Sequence, residues 1–200
     1  RRDDGFHGTQ EKGGRGMATD NDDAAPTRPR KLVVLHWLTV LLVVLAAAFI
    51  LTRDQLDGRT IRQWLLEGHR HAGLLVLVLF AIRVTLRVRY GKLQPSGNHP
   101  RILRICAGLT HVALYALLLA LPLLGWAMSS ASGTPVHFFG LTLPAIIGED
   151  DDLADNLQAW HVDAAWALLA LATLHIAAAL WHHFVVRDHT LRMMLPGRRR

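Results

Sequence analysis

The sequence predicts an all-α integral membrane protein, a bundle of four spanning helices, on three observations. Apolar residues make up 51% of the chain and are gathered into four long runs, and a run of about 18 or more apolar residues reads as a transmembrane helix. The Lys and Arg residues stand at the ends of those runs, as they do where charge sets membrane topology; a nucleic-acid binder would carry them as a stripe on a polar domain. Several of the twelve histidines fall inside the runs, where polar side chains are costly and mark function. The single cysteine, Cys106, excludes an internal disulfide and a thiolate cluster for zinc or iron–sulfur.

Residues 1–30 are polar and rich in Gly, Asp and Arg, too poor in apolar side chains to pack, and are expected to be disordered. They contain no apolar segment of a secretory signal. Met17 is a candidate native start, with residues 1–16 upstream of it. The bundle is expected over residues 31–196, followed by a basic tail at 197–200. The first span covers about 31–51, preceded by Arg28, Arg30 and Lys31, with His36-Trp37 one turn inside. Residues 52–68 read as a short polar connection of mixed charge with an amphipathic turn at 61–66. The second span, about 69–88, opens with His69 and His71, contains Gly73, and ends in Arg83, Arg87, Arg89 and Lys92. The third, about 106–128, follows a connection bearing Pro95, Gly97, Pro100, Arg101 and Arg104, and carries His111 and Pro122. Pro is tolerated in membrane helices when neighbours satisfy the freed carbonyl. Residues 129–158 read as a loop without Lys or Arg, with the acidic run Glu149 to Asp152 and an apolar stretch at 138–147 suited to the membrane surface. The fourth span, about 160–186, ends before Arg187. Basic flanks face the cytoplasm, so both termini of a multi-pass membrane protein are placed there.

That fourth span carries His161 and His175, fourteen residues apart. On an α-helix this is a rise of ~21 Å and almost four whole turns, so both rings leave one face, one near each side of a hydrocarbon core of ~30 Å. Depth then selects partners. His36 lies near the inner surface with His175, and His69 near the outer surface with His161. Each pair can supply two axial nitrogens to a metal cofactor, a haem being the obvious one, in the manner of cofactor sites on facing bundle helices. A single histidine at a span end is ordinarily an interfacial residue; two depth-matched pairs are a different observation. His111, at the depth of His36, is a candidate to replace it but reads better as a residue beside the inner site. His71 faces ~200° away from His69 around the helix. His182 and His183 sit where the span leaves the membrane, and His137 and His189 in loops. Arg70 and Arg83 are candidates for contacts to cofactor carboxylates. Trp37, Trp160 and Trp181 suit the aromatic belt.

Beyond these spacings, the chain resembles the bacterial cytochrome b561 family. The matching stretches are His36-Trp37, His69 with Gly73, R-V-T-L-R-V-R-Y at the end of span two and T-H-V-A-L-Y-A-L-L-L-A-L-P-L-L-G-W in span three. In span four they are W-H and L-H-I-A-A-A-L-W-H-H with the following D-H-T-L-R-M-M-L-P. The loop F-G-L-T-L-P also resembles the family. The resemblance covers about residues 31–196 and implies a four-helix bundle with two b-type haems. Carried over by motif, the haem ligands are His36, His69, His161 and His175. It also implies electron exchange with ubiquinone in the respiratory chain, in one branch as a superoxide:ubiquinone oxidoreductase.

The function expected is that of a di-haem membrane cytochrome carrying single electrons from a periplasmic donor, superoxide being the first choice, to the ubiquinone pool. Arg53, Arg59, Arg62 and Arg70 on the first outer connection are placed to steer an anion. One rival is a membrane-anchor cytochrome relaying electrons between a partner dehydrogenase and quinone. Another is a transporter or proton channel that uses the intramembrane histidines as a relay. There is no G-x-G-x-x-G after a strand and no Walker loop, hence no sequence signature of flavin, nicotinamide or nucleotide binding.

Overall fold

A computed structural model describes residues 29–90, 100–188 and 191–194. Four helices, α1 (Arg30–Gln55), α2 (Arg59–Tyr90), α3 (Arg101–Ala131) and α4 (Asp151–Trp181), run up and down as an antiparallel bundle, each long and apolar enough to cross a membrane. The expected disorder of 1–28, the connection at 91–99, His189 and the tail at 197–200 lie outside the described residues. Arg30, expected in the polar leader, is already the first residue of α1.

Leu41, Val44, Leu169 and Ile176, large and apolar, are exposed, as side chains that meet lipid must be. The backbone of each span satisfies its own hydrogen bonds, the condition for crossing hydrocarbon. α1 packs along α2 and α3 along α4; the two hairpins join through α2 and α3, while α1 and α4 make little backbone contact. A small-residue core ties α3 to α4 at one end, built from Ala127, Ala131, Ala154 and Leu157 with Leu124, Met128, Ile147 and Leu153 against it. Small side chains let membrane helices approach closely where no hydrophobic effect drives them together.

The helices reach further than their apolar runs. The connection expected over 52–68 shrinks to Leu56, Asp57 and Gly58, because residues 59–68, including the turn at 61–66, are the first turns of α2. At 32 residues α2 is ~48 Å long, more than the hydrocarbon requires, so its polar start stands clear of it. Gly58 turns the chain at φ +106°, a conformation that side chains with a Cβ rarely adopt. The loop expected over 129–158 is likewise mostly ordered. α3 continues to Ala131, β1 (Val136–Phe138) and β2 (Leu141–Leu143) form an antiparallel hairpin, and α4 starts at Asp151. The acidic run is the start of that helix. The Asp150 carboxylate accepts the Leu153 amide at 2.9 Å, and Asp151 and Asp152 occupy the first turn. A capping aspartate of this kind stabilises a helix by ~1 kcal/mol, and acids there complement its dipole.

The two ends of the bundle differ in charge. Arg30, Lys31, Arg87, Arg89, Arg101, Arg104 and Arg187 stand at one end. Among the described residues every acid but Asp188 lies toward the other, which carries the β-hairpin. At the basic end α4 widens into a π-helical turn, His182–Val186, closed by Arg187 in the left-handed region. His182 Nδ1 and an Asp188 carboxylate oxygen lie 2.6 Å apart. A short 3-10 turn, Arg192–Met194, then returns to α1, where Trp37 Nε1 donates to the Met194 carbonyl at 2.6 Å.

Candidate functional site

Toward the hairpin end, the rings of His69 on α2 and His161 on α4 face each other with centroids 6.0 Å apart and planes at 73°. The Ala46 carbonyl of α1 lies 2.9 Å from His69 Nδ1. A carbonyl can only accept, so Nδ1 carries the proton and Nε2 keeps its lone pair for a ligand, a common arrangement behind metal-bound histidines. His161 is backed by Gly125 of α3, where an added Cβ would stand 3.4 Å from its Cε1. That is ordinary van der Waals contact, so a methyl would fit there and only a longer side chain would press on the ring. The His161 Nδ1 atom is buried, and the polar group offered to this ring is the Leu121 backbone of α3, without a well-formed hydrogen bond to Nδ1. Gly73, one turn along α2 from His69, has no atom within 4 Å of the place a Cβ would take.

Toward the basic end, His36 on α1 and His175 on α4 have ring centroids 6.4 Å apart and planes at 76°. His111 of α3 also meets His175, at 5.2 Å and 82°. Its Nδ1 lies 2.6 Å from the Ala107 carbonyl one turn back. Arg83 of α2 donates from Nη2 to His36 Nδ1 at 3.4 Å and lies over the ring of Tyr115, 5.4 Å from its centroid. Phe80 packs edge-on against the same ring at 5.8 Å.

The depth pairing read from the sequence is thus the pairing of rings in space, with His111 as a third ring at the basic end. A metal ion bonded to one nitrogen of each of two imidazoles, at about 2 Å per bond, would hold ring centres about 6 Å apart. His36–His175 and His69–His161 both have that spacing, and the His111–His175 contact is shorter. The thin packing between α1 and α4, the open face at Gly73 and the absence of any fully buried large side chain among the described residues leave room for a bulky planar group. Protein interiors without such a group are close-packed. The residues present therefore fit haem.

Other expected site residues are placed differently. Arg70 pairs with Glu67 on its own helix at 2.9 Å, and its side chain is 15% exposed, so its charge is already matched. His71 turns from His69, as the helix period requires, and holds the hairpin. Its Nδ1 lies 2.7 Å from the Glu67 carbonyl, and Phe139 donates its amide to Nε2 at 3.3 Å. Both Phe138 and Phe139 pack on the ring. His182 is joined to Asp188 rather than lying loose at the interface, and His137 sits on the hairpin against Thr142. Sequence reasoning missed Gly125 and Tyr115, whose roles depend on contacts between helices. The only signal was that each lies on span three at helical spacing from His111.

A family model described as prokaryotic cytochrome b561 matches residues 27–197. A probable superoxide oxidase, CybB, from Yersinia pestis is 34% identical over 168 residues, covering 82% of this chain and 93% of that protein. Cytochrome b561 homolog 2 from Escherichia coli K12 is 32% identical, covering 80% of this chain and 86% of the relative. Homolog 1 from the same organism is 31% identical, covering 84% and 96%.

Proposed function

The chain belongs to the prokaryotic cytochrome b561 family, a family of membrane cytochromes with b-type haem, and we propose that it carries single electrons from superoxide at the outer face to ubiquinone. The observation that carries the reading is the pair of histidine couples on one helix, His161 with His69 and His175 with His36, each spaced for a bis-imidazole iron. His36, His69, His161 and His175 are the proposed ligands, two for each of two b-type haems. The haems, when bound, supply one-electron carriers at two depths of the membrane.

The chain's own residues fix position and access. His69 is locked in one tautomer by Ala46, and Gly125 lets α3 pass close behind His161. The basic end is proposed to face the cytoplasm and the hairpin end the outside, because Lys and Arg in short flanks stay inside. The inner (plasma) membrane is the proposed location. The reaction balances as two superoxide anions giving up one electron each to become dioxygen, while one ubiquinone takes two electrons and two protons to become ubiquinol.

At the outer end Arg53, Arg59 and Arg62 line an open cleft of about 350 Å³ around Gly58; Arg53 is paired with Asp54 at 3.3 Å and Arg70 with Glu67 at 2.9 Å, which favours Arg59 and Arg62 as the charges that steer an anion. Asp150 faces the start of α4 as its cap, so the acidic run opposes an incoming anion less than its formal charge suggests. The similarity to a probable superoxide oxidase supports the choice of donor.

The test is purified protein with its haem quantified as the pyridine haemochrome, followed by stopped-flow mixing with superoxide. Two non-covalent haems per chain and rapid reduction are expected. Combined Arg59→Gln and Arg62→Gln should slow reduction about three- to tenfold at low salt, and the difference should shrink as salt is raised. A colourless protein from haem-replete cells would favour the transporter or proton-channel reading. A coloured protein that ignores superoxide but is reduced by a partner dehydrogenase would favour the anchor cytochrome.

A further inference from the structure

At the basic end, two polar groups are not accounted for by ligation. The Tyr115 hydroxyl is buried and has no hydrogen-bond partner among the described residues. A buried hydroxyl without a partner is costly, the more so where no water can reach it. Beside it is Arg83, whose guanidinium keeps its charge in any protein environment. Arg83 forms no ion pair among the described residues. Asp188, the one acid at this end among the described residues, is engaged by His182 at 2.6 Å. What Arg83 does contact is the Tyr115 ring face, at 5.4 Å, and His36 Nδ1, at a long 3.4 Å. A cation with five donors and a hydroxyl therefore converge beside the His36–His175 couple, and among the described residues no anion meets them.

The matching ligand chemistry is a carboxylate, which accepts from a guanidinium and a hydroxyl at once. Haem b carries two propionate carboxylates on one edge. We propose that Arg83 and Tyr115 form the carboxylate-binding site that anchors a propionate of the haem between His36 and His175; this rests on the ligand set proposed above. The contact from Arg83 to His36 is consistent with it. Binding a metal through Nε2 leaves the proton on Nδ1, which can then no longer accept from Arg83, so the guanidinium is released to a carboxylate. Phe80, edge-on to the Tyr115 ring at 5.8 Å, holds that ring in place beneath the guanidinium.

Tyr115→Phe separates this role from a merely structural one, because it removes the oxygen and keeps the ring. If the hydroxyl has no ligand, its removal should raise thermal stability and leave both haems as they were. If it holds a propionate, the haem component that is missing in His175→Ala should dissociate several-fold faster in Tyr115→Phe. Arg83→Gln should accelerate that loss about tenfold or more, as expected for a charge-assisted hydrogen bond. It should also move the midpoint potential of that haem downward, since an unpaired carboxylate favours the oxidised iron. Arg83→Lys should restore much of the potential and less of the retention, because Lys keeps the charge but lacks the fork. Full haem retention and unchanged potential in both Tyr115→Phe and Arg83→Gln would overturn the proposal. Should Arg83→Gln fail to fold, Tyr115→Phe decides alone. Wild-type protein with a single haem per chain would overturn the ligand set and this site together.

Discussion

His161→Ala is expected to yield a folded protein with one haem per chain in place of two, and His175→Ala a protein with the other. The two positions share a helix but are ~21 Å apart along it, and each meets its own partner ring. Losing one imidazole would leave the haem proposed there with a single ligand from the chain, while the distant couple keeps all its contacts. Changes this far apart with no shared partner behave independently. The haems should also differ in what reaches them. On the proposed orientation, and with quinone proposed to react at the basic end, His161→Ala should still be reduced by quinol, and should lose its rapid reaction with superoxide. His175→Ala should reverse the pattern. The measurements are haem per chain, the reduced-minus-oxidised spectrum, and stopped-flow reduction by each donor. Retention of two six-coordinate haems in His161→Ala would remove that histidine from the ligand set.

How much of this could be read from the sequence varies with the kind of signal. The four helices are legible because an apolar run has one stable arrangement in a bilayer, so 31–51, 69–88 and 106–128 fall inside α1, α2 and α3, and 160–186 runs through α4 to Trp181 and on through the π-helical turn at 182–186. Their ends are not legible by the same means. Residues 59–68 and 151–158 are helical outside the apolar runs, where hydropathy carries no information and caps such as Asp150 decide instead. The facing of His69 with His161, and of His36 with His175, follows from depth, since antiparallel spans bring only residues of equal depth together. Contacts set by rotation of one helix against another leave no such trace. Gly125 behind His161, Arg83 over Tyr115 and Phe139 on His71 each depend on which face of a helix turns inward. A span that is apolar all round does not declare that face.

His36→Ala is expected to remove the haem at the basic end, whereas His111→Ala should keep both haems. Here the sequence left two candidates at one depth, and the structure places both rings against His175. Three observations separate them. The His36–His175 centroid distance of 6.4 Å is close to what an intervening metal requires, and the His111 distance of 5.2 Å is short of it. α3 packs along α4 over much of its length, leaving little width for a macrocycle between them, whereas α1 and α4 are held apart. His111 is exposed on its helix, while His36 is partly buried and already contacted by Arg83. His111 then acts on the site through His175, whose ring it supports edge-on. Its removal should leave the haem count at two and the iron low-spin, with at most a modest shift in the potential of the basic-end haem and in the orientation-sensitive bands of its spectrum. His36→Ala should instead give one haem per chain, with the spectrum that remains matching that of His175→Ala, because both changes empty the same site. The comparison of those two spectra is the decisive measurement. If His111→Ala and His175→Ala match each other and His36→Ala keeps both haems, the basic-end iron is held between α3 and α4, and His36 is the supporting ring.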